Sequence, residues 1–185
     1  IKDFTFGLRE ALAPDGTITL EFPHLMRLIE HTQFDTVYHE HFSYLSLTTV
    51  CAIFEQANLR IFDVEQLQTH GGSIRVYGCH MDDERSNSNV VADLLSSEAD
   101  VGLLTLATYD SFQSRANQIK NNLLQFLIEQ QAKGKKVIAY GAAAKGNTLL
   151  NFAGIKPDLL PAVCDAAPSK QGKFMPGSHI PIVSP

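Results

Sequence analysis

The sequence predicts an α/β protein made of two successive α/β regions. In the first half, segments with helical periodicity occur among runs rich in strand-forming residues. In the second half, an apolar strand, a glycine-containing turn, a helix and a second apolar strand follow one another. That order is typical of a βαβ unit, in which the two strands are parallel.

The first half yields three helices and three strands. Helices are predicted where apolar residues recur at helical spacing, over residues 3–13, 25–31 and 47–58. Strands are predicted where strand formers cluster, over residues 17–22, 59–67 and 73–81. Pro14-Asp15-Gly16 marks the turn before the first strand, and His70-Gly71-Gly72 marks the turn between the last two strands.

In the second half, a polar loop over residues 82–89 precedes a long helix over residues 101–132. Gly134 suits the C-cap position of that helix. Apolar strands over residues 136–140 and 160–164 then flank a helix that reaches Phe152.

The composition is that of an ordinary globular protein, with 44% hydrophobic and 19% charged residues. No apolar run reaches the roughly 18 residues of a membrane span, and Ile1-Lys2-Asp3 does not begin a signal peptide. The net charge of -5 argues against nucleic acid as a partner, because phosphate binding needs clustered Lys and Arg. Cys51, Cys79 and Cys164 are odd in number, widely spaced and in apolar or strand-like contexts, so we expect buried reduced thiols in a cytoplasmic protein. They form no CxxC pair, which argues against a cysteine-based zinc site within this chain.

The densest group of chemically active side chains is Tyr38-His39-Glu40-His41-Phe42-Ser43-Tyr44. Its histidines, carboxylate and phenols supply proton donors and acceptors over a wide pKa range. A histidine beside a carboxylate can be oriented by it and become a better base. The segment predicts an acid–base site, although a polar surface loop with inward aromatic rings would have the same sequence.

A metal site is another interpretation of this segment. His39 and His41 are two residues apart, so on a strand they would face the same side and could chelate one ion. Glu40 or His70 would be the third ligand.

Two glycine-containing turns are candidate ligand sites. Thr69-His70-Gly71-Gly72-Ser73 permits a close backbone approach, so His70 and Ser73 could contact a ligand, although a hairpin turn alone explains its glycines. The turn from Gly141 to Thr148 stands between a strand and a helix, where N–H groups bind anions, above all phosphate. It is neither a Walker A loop nor GxGxxG.

Within that second turn, the alanines suit close packing against a sheet, whereas Lys145 suits a phosphate or carboxylate partner. The segment from Asp165 to Gly177 lies past the carboxyl end of a parallel strand, where α/β sheets place ligand crevices. Its Pro and Gly content is otherwise that of a loop. The predicted substrate contacts are His70, Ser73, Ala144, Lys145, Gly146, Asn147 and Lys170.

Five segments occur together in this chain: EFPHL (Glu21 to Leu25), QFDTVYHEHFSY (Gln33 to Tyr44), THGGSIRV (Thr69 to Val76), YGAAAKGNTLLN (Tyr140 to Asn151) and SKQGKFMPGSHIPI (Ser169 to Ile182). In this order they resemble the sugar C-methyltransferase family, whose members make branched deoxysugars. The resemblance spans nearly the whole chain.

This resemblance implies a three-part enzyme: a small zinc-binding domain, a Rossmann-type S-adenosylmethionine domain, and a Rossmann-like C-terminal domain that helps to hold a nucleotide sugar. Residues 1–82 would end the methyltransferase domain, residues 83–100 would be a linker, and residues 101–185 would form the C-terminal domain, itself truncated. The S-adenosylmethionine loop and any zinc site are expected upstream of this chain.

The resemblance also implies a reaction. A base removes a proton from the carbon beside the keto group of a nucleotide-linked deoxysugar, and the enolate takes a methyl group from S-adenosylmethionine. His41 is the implied base, and Tyr38 and Glu40 would position the sugar and support proton transfer. An extended chain would place Tyr38 and Glu40 on one face and His41 on the other, so a bend is expected.

Two other functions are compatible with the residues. A nucleotide- or coenzyme A-binding module without chemistry would use only the turn from Gly141 to Asn151. A metal-dependent hydrolase or isomerase would use the histidines near residue 40. The first alternative is distinguished by whether Tyr38, Glu40 and His41 line one cleft with the Gly141 turn.

Overall fold

The computed structural model describes all residues from 1 to 185, and it separates them into two compact units. Unit 1 comprises Ile1–Thr32 and Ser43–Ser111, and unit 2 comprises Gln33–Phe42 and Phe112–Pro185. Both units combine helices with a small sheet, so the predicted α/β fold class is confirmed.

Unit 1 is a three-stranded antiparallel sheet with four helices. The helices are α1 (Lys2–Ala11), α2 (Leu25–Glu30), α3 (Leu47–Gln56) and α4 (Asn89–Asp100). The strands are β1 (Ile18–Pro23), β2 (Leu59–Leu67) and β3 (Ser73–His80), in the order β1-β3-β2. Residues of α3 and the strands fill its core, with Phe54, Leu59 and Ile74 almost fully buried. The ring of Phe54 lies where a side chain at position 78 would stand, which accounts for Gly78 in the central strand.

The segment predicted as a linker, residues 83–100, contains the whole of a packed helix, α4. Ser88 caps α4 by accepting a hydrogen bond from the Val90 N–H at 3.2 Å. Val91 and Leu94 then enter the core of unit 1. The long helix predicted from residue 101 begins only at Phe112, after a turn at Gly102 with φ 73° and a 3-10 turn at Leu106–Tyr109. In this half of the chain, the change from unit 1 to unit 2 therefore comes after Ser111.

Unit 2 contains the predicted βαβ unit. Its helices are α5 (Phe112–Ala132) and α6 (Ala144–Ala153), and its strands are β4 (Ala139–Tyr140), β5 (Val163–Cys164) and β6 (Ile182–Val183). The strands are short and parallel, in the order β4-β5-β6. α6 connects β4 to β5, and buried apolar residues of α5, α6 and the strands form one core.

The three cysteines are free thiols, as predicted. Burial, with smaller contributions from Glu55 and Glu98, raises the pKa of Cys51 to about 11, which keeps this side chain protonated near neutral pH. None of the helices has the length and apolar character needed to cross a membrane.

Candidate functional site

Residues 33–42 of unit 2 contain the expected bend. The backbone N–H of His41 donates to the carbonyl of Tyr38 at 3.0 Å, which closes a tight turn. This turn places His41 Nε2 3.0 Å from Tyr38 Oη. The two rings meet edge to face, with centroids 4.7 Å apart and planes at 83°. The result is a phenol–imidazole pair, in which one hydroxyl and one ring nitrogen share a proton.

Glu40 is not part of this pair. Its side chain is 69% exposed, and its carboxylate lies 4.0 Å from Nε2 of His39, which is more exposed still. The structure therefore brings together two of the three predicted catalytic residues, Tyr38 and His41. The turn brings the side chains of residues 38 and 41 together and leaves that of Glu40 exposed to solvent.

The strand geometry that a metal site at His39 and His41 requires is absent. The two histidines lie on a turn, with His41 against Tyr38 and the side chain of His39 87% exposed. Nowhere in the 185 residues do three His, Cys, Asp or Glu side chains converge on a point that could hold a metal ion.

The turn between β2 and β3 in unit 1 is closed by a hydrogen bond between two of its own residues. Ser73 is buried, and its hydroxyl donates to the carbonyl of Thr69 at 3.0 Å. Gly72 has φ 119°, and a Cβ there would lie 2.7 Å from the Arg27 side chain. His70 is exposed, with φ 55°. These contacts fit the hairpin interpretation, because the Ser73 hydroxyl proton already closes the turn.

The N-terminus of α6 lies in unit 2. Its first turn has no side-chain cap, and the N–H of Asn147 donates to the carbonyl of Ala143 at 3.0 Å. The prediction that the Asn147 N–H binds a ligand is therefore wrong, because this N–H is used within the helix. The N–H groups of the preceding residues of α6 point out of its N-terminal end. A methyl group at Gly146 would meet only the Gly141 carbonyl, at 3.7 Å. The Asn147 Oδ1 atom is buried without a hydrogen-bond partner.

Asp165, directly after β5, joins two loops at the carboxyl edge of the sheet. Its Oδ2 accepts from the Ala142 N–H at 2.7 Å and from Lys170 Nζ at 3.1 Å, and its Oδ1 accepts from the Ala167 N–H at 2.8 Å. The bonds from Ala167 and Lys170 hold the pKa of Asp165 below its ordinary value. Lys170 Nζ also donates to the Ala142 carbonyl at 2.9 Å, so this predicted substrate contact is occupied in holding the glycine turn. The sequence places Asp165 at the end of a strand, but it does not show these partners.

Unit 2 also has a cleft of about 290 Å³ near two of these features, the turn at residues 38–41 and the N-terminus of α6. Its lining includes Val37, which precedes Tyr38, and Thr148, which follows Asn147. Tyr38, Glu40 and His41 do not line the cleft. Of the residues next to them in sequence, Val37 shares it with Thr148 of α6.

Comparison with known proteins identifies the family. A protein-family model for the C-methyltransferase C-terminal domain matches residues 68–185. The chain belongs to this family. The C-methyltransferase NovU of Streptomyces niveus is 38% identical over 185 residues, which are 100% of this chain and 44% of NovU. The chain thus spans less than half the length of this curated relative.

The C-methyltransferase family match covers α6 and Asp165, and it ends at Pro185. Tyr38 and His41 lie before the matched range, within the part of the chain that aligns with NovU. They nevertheless belong to unit 2, the same compact unit as α6.

Proposed function

We propose that this chain is the part of a C-methyltransferase that binds a nucleotide-linked keto deoxysugar and removes a proton from it. The observation that supports this function best is the 3.0 Å contact between His41 Nε2 and Tyr38 Oη in a chain of the C-methyltransferase family. It supplies a base and a hydrogen-bond donor at one place.

The proton to be removed lies on the carbon beside the keto group, because the carbonyl stabilises the enolate that forms. In the tautomer in which His41 Nε2–H donates to Tyr38 Oη, the Nδ1 lone pair takes this proton as the C–H bond breaks. Tyr38 then directs its own hydroxyl proton at the developing enolate oxygen, where added charge is best stabilised. The enolate carbon forms the new C–C bond to the methyl group as the methyl–sulfur bond of the donor breaks, and the electron pair of that bond stays on the departing neutral sulfur.

The methyl donor in this proposal is the co-substrate S-adenosylmethionine, which supplies an electrophilic methyl group. Unit 2 does not fit its adenosine. Asp165 follows the second strand, where related folds hold a ribose, but its carboxylate is engaged by Ala142, Ala167 and Lys170. The sheet of unit 1 is antiparallel and has no parallel strand–turn–helix unit. We therefore place the donor-binding loop upstream of this chain.

The N-terminus of α6 is the proposed site of the substrate diphosphate. A helix N-terminus attracts anions through its N–H groups and its dipole, and Lys145 in the first turn adds a positive charge. Gly146 lies inside a helix where nothing requires a missing side chain, although glycine is a poor helix former. A ligand that approaches the backbone closely would account for it.

Lys145→Ala in the complete protein is expected to weaken binding of thymidine diphosphate about tenfold, since the loss of one charge-assisted hydrogen bond costs on the order of 1.5 kcal/mol. Titration calorimetry measures the affinity. Lys133→Ala, which removes an exposed lysine just after α5, is the charge-matched control and should bind as the wild type does. Equal affinity in both variants would argue against a phosphate site at α6.

The 185-residue chain expressed alone is expected to transfer no methyl group, because the Asp165 carboxylate of unit 2 is engaged within the fold and the sheet of unit 1 is antiparallel. The assay is incubation with methyl-labelled S-adenosylmethionine and a panel of nucleoside-diphosphate keto sugars. Label in the sugar above the protein-free background would mean that the donor site lies within these residues after all.

A further inference from the structure

We infer that the contact between Phe34 and Phe152 is a positioning device that ties the loop bearing Tyr38 and His41 to helix α6. The inference rests on the proposed function, in which that pair and the N-terminus of α6 act on one substrate. Neither phenylalanine touches the reacting atoms in this account, and both act through the residues that they hold.

The two rings lie in direct contact. Their centroids are 5.0 Å apart with planes at 56°, within the range in which aromatic pairs attract beyond their burial alone. Lys120 Nζ lies 5.7 Å from the centroid of the Phe152 ring, a second favourable contact to the same side chain. The Phe152 ring is thus held by partners from two elements, the loop and α5.

The loop end of the contact is close to the reactive pair. Phe34 begins a 3-10 turn, Phe34–Thr36, and its carbonyl accepts a hydrogen bond from the Val37 N–H at 3.0 Å. Tyr38 follows at once, and its N–H donates to the carbonyl of Thr36 at 3.0 Å. Successive short turns therefore transmit the position of the Phe34 ring to Tyr38 and, through the next turn, to His41.

The helix end of the contact is rigidly joined to the proposed diphosphate site. Phe152 lies in the last turn of α6, and the first turn begins at Ala144, roughly 12 Å away at the helical rise per residue. In a nucleotide sugar, the spacing between the diphosphate and the keto carbon is set by covalent bonds. If the loop that carries His41 is fixed to the far end of the same helix, the distance from the base to the diphosphate site is kept. A displacement of the base by about 1 Å can lower the rate on the order of 10²-fold.

The contact contributes little to the core of unit 2. Phe152 is 40% exposed, whereas α6 is anchored in the core by Leu150 and Ala153, each 8% exposed. The cleft of about 290 Å³ next to both rings leaves part of their surface uncovered. Removal of the Phe152 ring should therefore free the loop without unfolding α6.

The test compares Phe152→Ala, Phe152→Leu and Phe126→Ala in the complete protein. Phe126 is a matched control, a 48% exposed phenylalanine on α5. Two quantities are measured: amide hydrogen exchange of residues 37–42, and kcat and KM for methyl transfer to a nucleoside-diphosphate keto sugar. Phe152→Ala should speed exchange in this loop at least tenfold and lower kcat on the order of 10²-fold, with KM within about threefold. Phe152→Leu should have an exchange rate and a kcat close to those of the wild type, and Phe126→Ala should leave the exchange rate and kcat unchanged.

Unchanged exchange in residues 37–42 of Phe152→Ala would overturn the inference, as would a rate loss that Phe126→Ala shares. A proportional rise in KM would also overturn it, because it would mean that the substrate site itself is damaged. Failure of the proposed function has a different signature, namely full methyl transfer by a His41→Asn variant. Amide hydrogen exchange tests the role of the Phe34–Phe152 contact whether or not His41 is the base.

Discussion

Replacement of His41 by Asn in the complete enzyme should lower kcat for methyl transfer by about 10²–10⁴-fold, the usual cost of removing a general base. Asn is smaller than His and does not reach the position of Nε2, but the turn at residues 38–41 should survive, because it is closed by the backbone bond from the residue 41 N–H to the Tyr38 carbonyl. Affinity for the nucleotide sugar should be kept, because the proposed diphosphate site lies elsewhere, on α6. Steady-state kinetics with calorimetry for binding separates the two effects.

His39→Asn is the control for this variant. His39 is the same residue type two positions away, and its side chain is 87% exposed. The centroids of the His39 and Tyr38 rings are 6.2 Å apart, compared with 4.7 Å for His41 and Tyr38. It should retain nearly full activity. A Glu40→Gln variant should lose less rate than His41→Asn, because the Glu40 carboxylate points away from the pair. If His39→Asn is as impaired as His41→Asn, the segment is merely fragile and the base lies elsewhere.

Glu98→Ala should destabilise unit 1 by about 3–5 kcal/mol, the usual cost of removing one partner from a buried ionic network. Glu98 is 1% exposed and receives four hydrogen bonds. Its Oε1 lies 2.6 Å from both His24 Nε2 and the Leu47 N–H, and its Oε2 accepts from the N–H of Thr48 at 2.8 Å and from its hydroxyl at 2.6 Å. A side chain of α4 thereby caps the N-terminus of α3.

The variant would leave buried groups without partners. The Leu47 and Thr48 N–H groups would lose their acceptor, and His24, whose Nδ1 already has no partner, would lose its other bond. Urea denaturation followed by circular dichroism measures the loss. Asp93→Ala removes an exposed carboxylate from the same helix and should change stability by less than about 0.5 kcal/mol. Similar losses in the two variants would contradict the capping role.

The Glu98 network also predicts a pH dependence. Burial by itself would raise the pKa of Glu98, but hydrogen bonds from His24 and Thr48 outweigh it and hold the pKa below its ordinary value. A carboxyl group with a depressed folded pKa stabilises the fold above its unfolded pKa of about 4.3, and this contribution is lost as the pH falls through the folded pKa. The stability difference between wild type and Glu98→Ala should therefore shrink below about pH 4.

Local signals in the sequence sufficed for most elements. The strands predicted over residues 59–67 and 73–81 match β2 (Leu59–Leu67) and β3 (Ser73–His80), because strand formers and turn glycines act on their immediate neighbours. The bend near residue 40 was implied by the family resemblance, which assigns joint roles to Tyr38, Glu40 and His41, since an extended chain would place them on opposite faces.

Contacts between distant residues could not be predicted in this way. Nothing local shows that Phe34 packs on Phe152, so the sequence groups residues 33–42 with the rest of residues 1–82, whereas the structure places them in unit 2. Ser73 and Lys170 have the right chemistry for ligand contacts, but their polar groups are used inside the fold. Glu98 did leave a signal, since Val91, Leu94 and Glu98 share the helical spacing of a buried stripe, where a carboxylate needs partners.

In the proposed reaction His41 removes the proton beside the keto group, and solvent deuterium exchange measures that step by itself. The complete enzyme is incubated with a nucleoside-diphosphate keto sugar in D₂O without methyl donor, and deuterium at that carbon is followed by NMR. The wild type and His39→Asn should incorporate deuterium, whereas His41→Asn should not do so above the enzyme-free rate. Incorporation by His41→Asn at the wild-type rate would show that another group takes the proton.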